Sequence, residues 1–271
     1  MSLNLLGTDS TSLAALAIVK GCKTSLDLTS ITQGRKRMLS FLSQAVGIVA
    51  EVDLGTDNLR WMGSARFTFG FFARIMRKTV YPCELAIKVD VEKEDIKSHF
   101  RRRITRPSSV VDLEYAKTQS LPGLPSLTHG TVQSALPPSF APVSADKIGN
   151  FYAGNMSLMA PGANFFPASL PADGHLDLII IEGDIGRLAA IQCFLGVESG
   201  SFFDNPCVNY RKIGGYRIKP LSPGDGYIAI DGERIPFEEF QAEVHRGLGS
   251  TLSKKGVGYE TEELRPQSLW K

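Results

Sequence analysis

The chain has 271 residues, 43% of them hydrophobic and 21% charged, with a formal net charge of +2. That is an ordinary globular composition, long enough for one large or two modest domains. So small a basic excess argues against nucleic acid as a partner, which asks for a concentrated basic face. Cys22, Cys83, Cys193 and Cys207 show no C-x-x-C spacing, and His99, His129, His175 and His245 are scattered. Neither a zinc site nor a disulfide framework is suggested, and the cysteines read as reduced, mostly core thiols of a soluble cytoplasmic chain. The apolar run from Leu13 to Val19 is far short of the roughly 20 residues a membrane span needs and lacks the basic front of a secretory signal.

The first predicted element is a helix: Asp9 or Ser10 can cap it, Leu13, Leu16 and Ala17 recur at helical spacing, and Gly21 closes it. Strand patterns follow at 26–32 and at 38–53, the second nearly continuous in apolar and small residues as a doubly buried strand would be. Thr56 and Ser64 read as caps of two short helices, the second carrying Phe67, Phe71, Phe72 and Ile75. From Pro82 to Val91 the alternation of Cys83, Leu85, Ile87, Val89 and Val91 with Glu84, Lys88 and Asp90 predicts a half-exposed antiparallel strand. Between 101 and 147 the composition turns to Arg, Ser, Pro and Gly without periodicity, which predicts a disordered insertion. Strands are expected again at 148–160, 176–182, 208–219, 226–231 and 240–245, with one helix at 185–197 capped by Asp184. Many strands on short turns with few helices between them imply a mainly β fold with some helix (α+β), built as an antiparallel β-sandwich.

One turn carries chemistry on its face. Residues 226–235, GYIAIDGERI, place Asp231 and Glu233 around a glycine. Asp-Gly between β-branched flanks is hairpin chemistry, because both central residues of a type I′ turn need φ > 0. The same turn would hold two carboxylates at a rim, where they can orient a metal ion or a nucleotide. These ten residues leave both readings open.

The segment 40–70, SFLSQAVGIVAEVDLGTDNLRWMGSARFTFG, resembles the sphingoid long-chain-base kinases (sphingosine kinases) of the fungal type, within the diacylglycerol-kinase-like lipid kinases. FFPASLPADGHLDL at 165–178 and IDGE at 230–233 extend the resemblance from about residue 2 to residue 256. It implies ATP-dependent phosphorylation of the primary hydroxyl of a sphingoid long-chain base, with ATP and Mg²⁺ as cofactors. It also implies the site. Arg60 and Arg66 fall on positions that contact nucleotide phosphates, Glu233 on the nucleotide, and Asp231 on Mg²⁺ through water. Asp53 falls against the amine of the base and Ser43 against the lipid head, while Val49, Phe67, Phe194, Val197 and Phe202 fall on the walls of a tunnel for the alkyl chain. Taken without the resemblance, the same residues read as solvated arginines, turn aspartates, a small strand residue and ordinary core.

Residues 66–81, RFTFGFFARIMRKTVY, mix Phe67, Phe69, Phe71 and Phe72 with Arg74, Arg77 and Lys78. The resemblance makes this a region of peripheral membrane or calmodulin contact, and the plainer reading is a core helix with a basic end. In the family, catalysis relies on an N-terminal α/β nucleotide-binding domain with a Gly-Gly-Asp-Gly-Thr loop, an aspartate general base and a Gly-Ser-Gly-Asn segment, none of which occurs in these 271 residues. Residues 1–22 are therefore expected to be a remnant of that domain, 23–256 the β-sandwich lipid-binding domain, and 257–271 a tail. No catalytic residue is assigned, the chain is not expected to phosphorylate lipid alone, and an apolar docking surface would favour homo-oligomers. The alternatives are a non-catalytic lipid-binding module derived from the family, or a kinase of diacylglycerol or ceramide. Asp53 argues against the latter, since those lipids carry no ammonium.

Overall fold

In the computed structural model of the chain, residues 1–55, 65–105, 123–221, 226–256, 258–260 and 269 are described, 65–68 and 105 by backbone only. Two helices open it, α1 (Ser2–Leu6) and α2 (Thr11–Lys20). Leu5 and Leu6 of α1 are buried with Leu26, Met156 and Tyr259. The predicted helix α2 forms, with Ser10 at its N-cap and Gly21 at its C-cap, but none of its residues is buried.

The strands are β1 (Cys22–Gln33), β2 (Lys36–Ser40), β3 (Ser43–Gly47), β4 (Cys83–Val91), β5 (Ala141–Val143), β6 (Ile148–Gly154), β7 (Leu176–Glu182), β8 (Asn209–Pro220), β9 (Ile228–Ile230), β10 (Glu233–Ile235) and β11 (Phe240–Ser253). They form one eleven-stranded sheet, antiparallel throughout, in the order β10-β9-β3-β6-β7-β8-β11-β1-β2, with β4 and β5 branching from β8. The two leaves of the expected sandwich are thus one curled sheet, and β8 is the strand they share. Its first half pairs with β7 through Ile213, and from Gly215 it pairs with β11. Gly214 and Gly215 occupy that changeover. A Cβ on Gly215 would lie 2.7 Å from the Ala242 carbonyl oxygen, and one on Gly214 would lie 2.5 Å from Asp90 Oδ2. Only glycine lets the neighbours approach so closely.

The main core lies between the leaves, where Tyr216 of β8 meets Phe151 of β6 with ring centroids 4.8 Å apart. A second cluster lies on the other face of β6 and β7, under the helices α3 (Ile48–Gly55), α5 (Lys93–Thr105) and α6 (Arg187–Leu195). Phe151 and Leu178 therefore face one core while Tyr152 and Ile179 face the other. Every residue of β6 is buried, as a strand covered on both faces requires.

Three expectations are corrected. The single strand over 38–53 is in fact β2, a turn, β3 and the helix α3, so Asp53 sits on a helix and not at a strand end. A short apolar run of small and β-branched residues suits a buried helix as well as a buried strand, and periodicity cannot separate them. The disordered insertion over 101–147 is ordered wherever it is described. Its first residues complete α5, and 123–147 lie along the sheet: Thr128 and His129 donate backbone N–H groups to Glu243 at 2.7 and 2.8 Å, Val132 and Phe140 are buried, and β5 pairs with β4. Side chains of the sheet satisfy a segment that has no periodicity of its own. Residues 106–122 lie outside the described residues, as do the proposed caps Thr56 and Ser64. Finally, Asp184 does not cap α6, whose N-cap is Gly186; Asp184 Oδ2 pairs with Lys147 Nζ at 2.7 Å.

Candidate functional site

Between α3, α4 (Ala65–Arg77), α6 and the outer face of β6 and β7 runs an apolar cleft enclosing about 700 Å³ of empty space, its open mouth included. Its walls include Val49, Phe71, Phe194, Val197 and Phe202, together with Phe165, Ile179 and Ile181. Four of the residues expected on one tunnel, Val49, Phe194, Val197 and Phe202, thus share one cavity although they come from three separate segments. Phe67 lies on α4, where its side chain is not described. Phe71 and Phe194 hold α4 to α6 across the cleft, with ring centroids 5.4 Å apart.

Asp53 follows Val49 by one turn of α3, so the two share a helix face. A Cβ placed on Gly232 would lie 3.9 Å from Asp53 Oδ2, which puts this carboxylate beside the turn of the β9–β10 hairpin. Tyr152, buried and edge-on to Phe165 at 5.2 Å, completes the group. Burial raises its pKa, the Asp53 charge adds to that, and a hydrogen bond with Ser43 works the other way. The phenol stays protonated. Ser43, Asp53 and Tyr152 therefore form one polar cluster beside the apolar walls. Tyr152 was missed from sequence, where only its polar hydroxyl within an otherwise apolar strand marks it. The position of α3 is fixed from behind by Glu51, which pairs with Arg74 of α4 at 3.1 Å and accepts a hydrogen bond from the Tyr81 hydroxyl.

The Asp-Gly turn forms as expected, with φ of 52° at Asp231 and 84° at Gly232. Its carboxylate is heavily engaged. Oδ1 accepts from Ser40 Oγ at 2.7 Å and from the backbone N–H groups of Leu42 and Ser43 at 3.0 and 2.9 Å, and Oδ2 accepts from Phe41 N–H at 3.0 Å. Three of these donors meet Oδ1 and one meets Oδ2. Asp231 thus clamps the β2–β3 turn that presents Ser43. Glu233, by contrast, is exposed on the hairpin. Arg60 lies outside the described residues, and Arg66 is on α4 with its side chain not described.

No protein-family profile matches the chain. A solved structure from Bacillus anthracis str. Sterne, described as a diacylglycerol kinase, superposes with a TM-score of 0.54 at 15% identity, over 93% of this chain and 64% of that one. The curled sheet with its helix-covered cleft is therefore the fold of the diacylglycerol-kinase-like proteins. In sequence the chain is 32% identical over 255 residues to sphingoid long chain base kinase 4 of Schizosaccharomyces pombe, covering 93% of this chain and 53% of that protein. It is 29% identical over 314 residues to sphingoid long chain base kinase 5 of Saccharomyces cerevisiae, covering 97% and 46%, and 28% identical over 263 residues to sphingosine kinase 1 of Arabidopsis thaliana, covering 89% and 51%. The chain thus shares that fold, and its sequence is similar to those of sphingoid long chain base kinases. The chain spans about half the length of the curated relatives it matches.

Proposed function

We propose that this chain supplies the lipid-binding part of an ATP-dependent kinase that phosphorylates the primary hydroxyl of a sphingoid long-chain base. The observation that carries the reading is one apolar cleft adjoining the cluster Ser43, Asp53 and Tyr152. A sphingoid base has the matching outline, a long alkyl chain ending in an ammonium and hydroxyls. Its tail gains roughly 0.8 kcal/mol per buried methylene, so some 14–16 carbons contribute about 10 kcal/mol before ordering costs. The head needs one carboxylate for the ammonium and short hydroxyl groups for the rest. Asp53 takes the first role, and Ser43 and Tyr152 the second.

ATP supplies the phosphoryl group, and phosphoryl transfer asks the protein chiefly to position two substrates and offset phosphate charge. Arg60, Arg66 and Glu233 are assigned to the nucleotide, the arginines as paired phosphate grips. Mg²⁺ would accompany the nucleotide. Asp231 supports the turn and is assigned to that ion through water, by way of Oδ2, which accepts one N–H. The helix α4 meets the membrane: Phe71 and Ile75 line the cleft while Phe69 and Phe72 point outward, 57% and 54% exposed. An amphipathic helix with apolar residues on its outer side suits a bilayer surface.

Asp53→Asn keeps the shape and removes the charge, so it is expected to weaken binding of a fluorescent sphingosine analogue by about 1.5–3 kcal/mol while the circular dichroism spectrum stays unchanged. Unchanged affinity removes Asp53 from the site. Tighter binding of diacylglycerol than of sphinganine would favour the diacylglycerol reading instead.

A further inference from the structure

At the far side of α5 three residues distant in sequence converge: His99 from the helix, and Asp173 and His175 from the turn leading into β7. Their ligand-capable atoms all lie within 4.8 Å of one another. His99 Nε2 is 3.6 Å from Asp173 Oδ2, and His175 Nδ1 is 3.7 Å from Asp173 Oδ1. Both separations are too long for hydrogen bonds. Among the described residues these two ring nitrogens are buried with no hydrogen-bond partner. Buried polar atoms are seldom left so, and two facing the same carboxylate call for a bridging group.

The spacing suits one kind of bridge. Ligand atoms held at about 2.0–2.1 Å around a tetrahedral ion lie roughly 3.3–3.5 Å apart; each histidine nitrogen is near that distance from one Asp173 oxygen, and the whole set, within 4.8 Å, needs only a small closing movement. We propose that His99, Asp173 and His175 form a binding site for one divalent transition-metal ion of the zinc type. Two imidazoles and a carboxylate select zinc and its neighbours over Mg²⁺ or Ca²⁺, which take oxygen ligands. The site is therefore distinct in chemistry from any ion that travels with a nucleotide.

The surroundings support it. The other ring nitrogen of His175, Nε2, lies 3.7 Å from Asp90 Oδ2, so a second carboxylate is close by though beyond hydrogen-bond reach. Lys212 donates to Asp173 Oδ2 at 2.9 Å and shares its charge with Asp177 at 3.0 Å. A cleft bordered by Asp90, Glu92, Asp95 and Arg102, with His99 in its wall, gives an ion a way in. Bound there, the ion would staple α5 to the start of β7.

The test uses the untagged chain stripped with chelator and titrated with Co²⁺ for its visible spectrum and with Zn²⁺ against a chromophoric chelator. The expected result is one Zn²⁺ per chain, which displaces Co²⁺ and raises the melting temperature. His99→Gln and His175→Asn should each weaken Zn²⁺ by more than the roughly 10–100-fold that loss of an outer partner costs, and His129→Gln should leave it unchanged. No saturable binding, or binding that survives both ligand variants, overturns the site. Should those variants fail to fold, histidine ring resonances of the unaltered chain decide: Zn²⁺ must shift His99 and His175, and a shift confined to His129 or His245 refutes it.

Discussion

At Asp231 one residue does two things, of which the sequence named only the turn. It adopts the left-handed turn conformation and it accepts four hydrogen bonds from residues 40–43. Asn tolerates φ > 0 and keeps one acceptor oxygen, so Asp231→Asn should cost about 1 kcal/mol. Asp231→Ala strands several N–H groups and should cost about 2–3 kcal/mol, with urea unfolding as the measurement. Equal stability of all three proteins would mean the clamp contributes nothing. His245 offers a pH-dependent counterpart. Its Nε2 lies 2.8 Å from Ser30 Oγ, which also accepts from Arg37, so the serine O–H is free to donate to a neutral ring. Burial lowers its pKa, with Arg37 acting in the same direction and Glu243 against. The unfolded chain then takes up a proton near 6.5 that the folded chain refuses, so this residue's contribution is intact above that pH and is lost as pH falls below it. A plot of melting temperature against pH should slope less steeply below about 6.5 in His245→Asn than in the unaltered chain. Identical slopes would show that the ring does not titrate with unfolding.

Among the elements, α4 joins the cleft to the surface. Its inner side is held by the ring pair Phe71 and Phe194 and by the Arg74–Glu51 ion pair, so its outer phenylalanines can be removed without opening the cleft. Across the cleft mouth, α6 exposes Leu188 by 78% and Leu195 by 70%. Phe69→Ala with Phe72→Ala is expected to abolish co-flotation with liposomes containing anionic lipid while leaving sphingosine-analogue binding in detergent unchanged. Flotation that survives both changes retires the membrane role of α4. Much of this helix was legible from sequence, since aromatic and basic residues alternate at helical spacing, but which phenylalanines point in and which point out depends on where α6 packs. The break of 38–53 into β3 and α3 was not legible, because the run is apolar throughout and only the neighbouring β6 and β9 decide where pairing stops.

On the scale of the whole molecule, α2 stands apart: Leu13, Leu16, Ile18 and Val19 are exposed, Val19 by 82%. An apolar helix side without cover favours association, so sedimentation of the 271-residue chain should show oligomers that Leu16→Lys with Val19→Lys converts to monomer. The same chain assayed with ATP and sphinganine should show turnover near background, rising when the N-terminal domain of a homologous kinase is added. Phosphoryl transfer generally draws on backbone N–H groups around the phosphates and on a general base, whose contribution alone is about 10²–10⁴-fold. Robust turnover by the chain alone would show that the catalytic groups lie within it. Among the described residues no helix is long and apolar enough to cross a membrane.

The strands, the Asp-Gly turn and the family resemblance were all readable in the sequence, because each rests on local chemistry: alternation, turn residues with φ > 0, and short runs such as residues 40–70. Tertiary structure decided what depends on long-range approach. The curling of the sheet places Tyr152 in the core beneath the helices and Phe151 in the core between the leaves, though the two are neighbours in the chain. The ordering of 123–147 comes from Glu243, Gln241 and Arg217 on distant strands, which bond a segment without a pattern of its own. His99 and His175 looked scattered because their spacing in sequence means nothing; α5 and the turn before β7 bring them to one carboxylate. Local preferences are written residue by residue, whereas a site is made by segments that meet only after the sheet has curled.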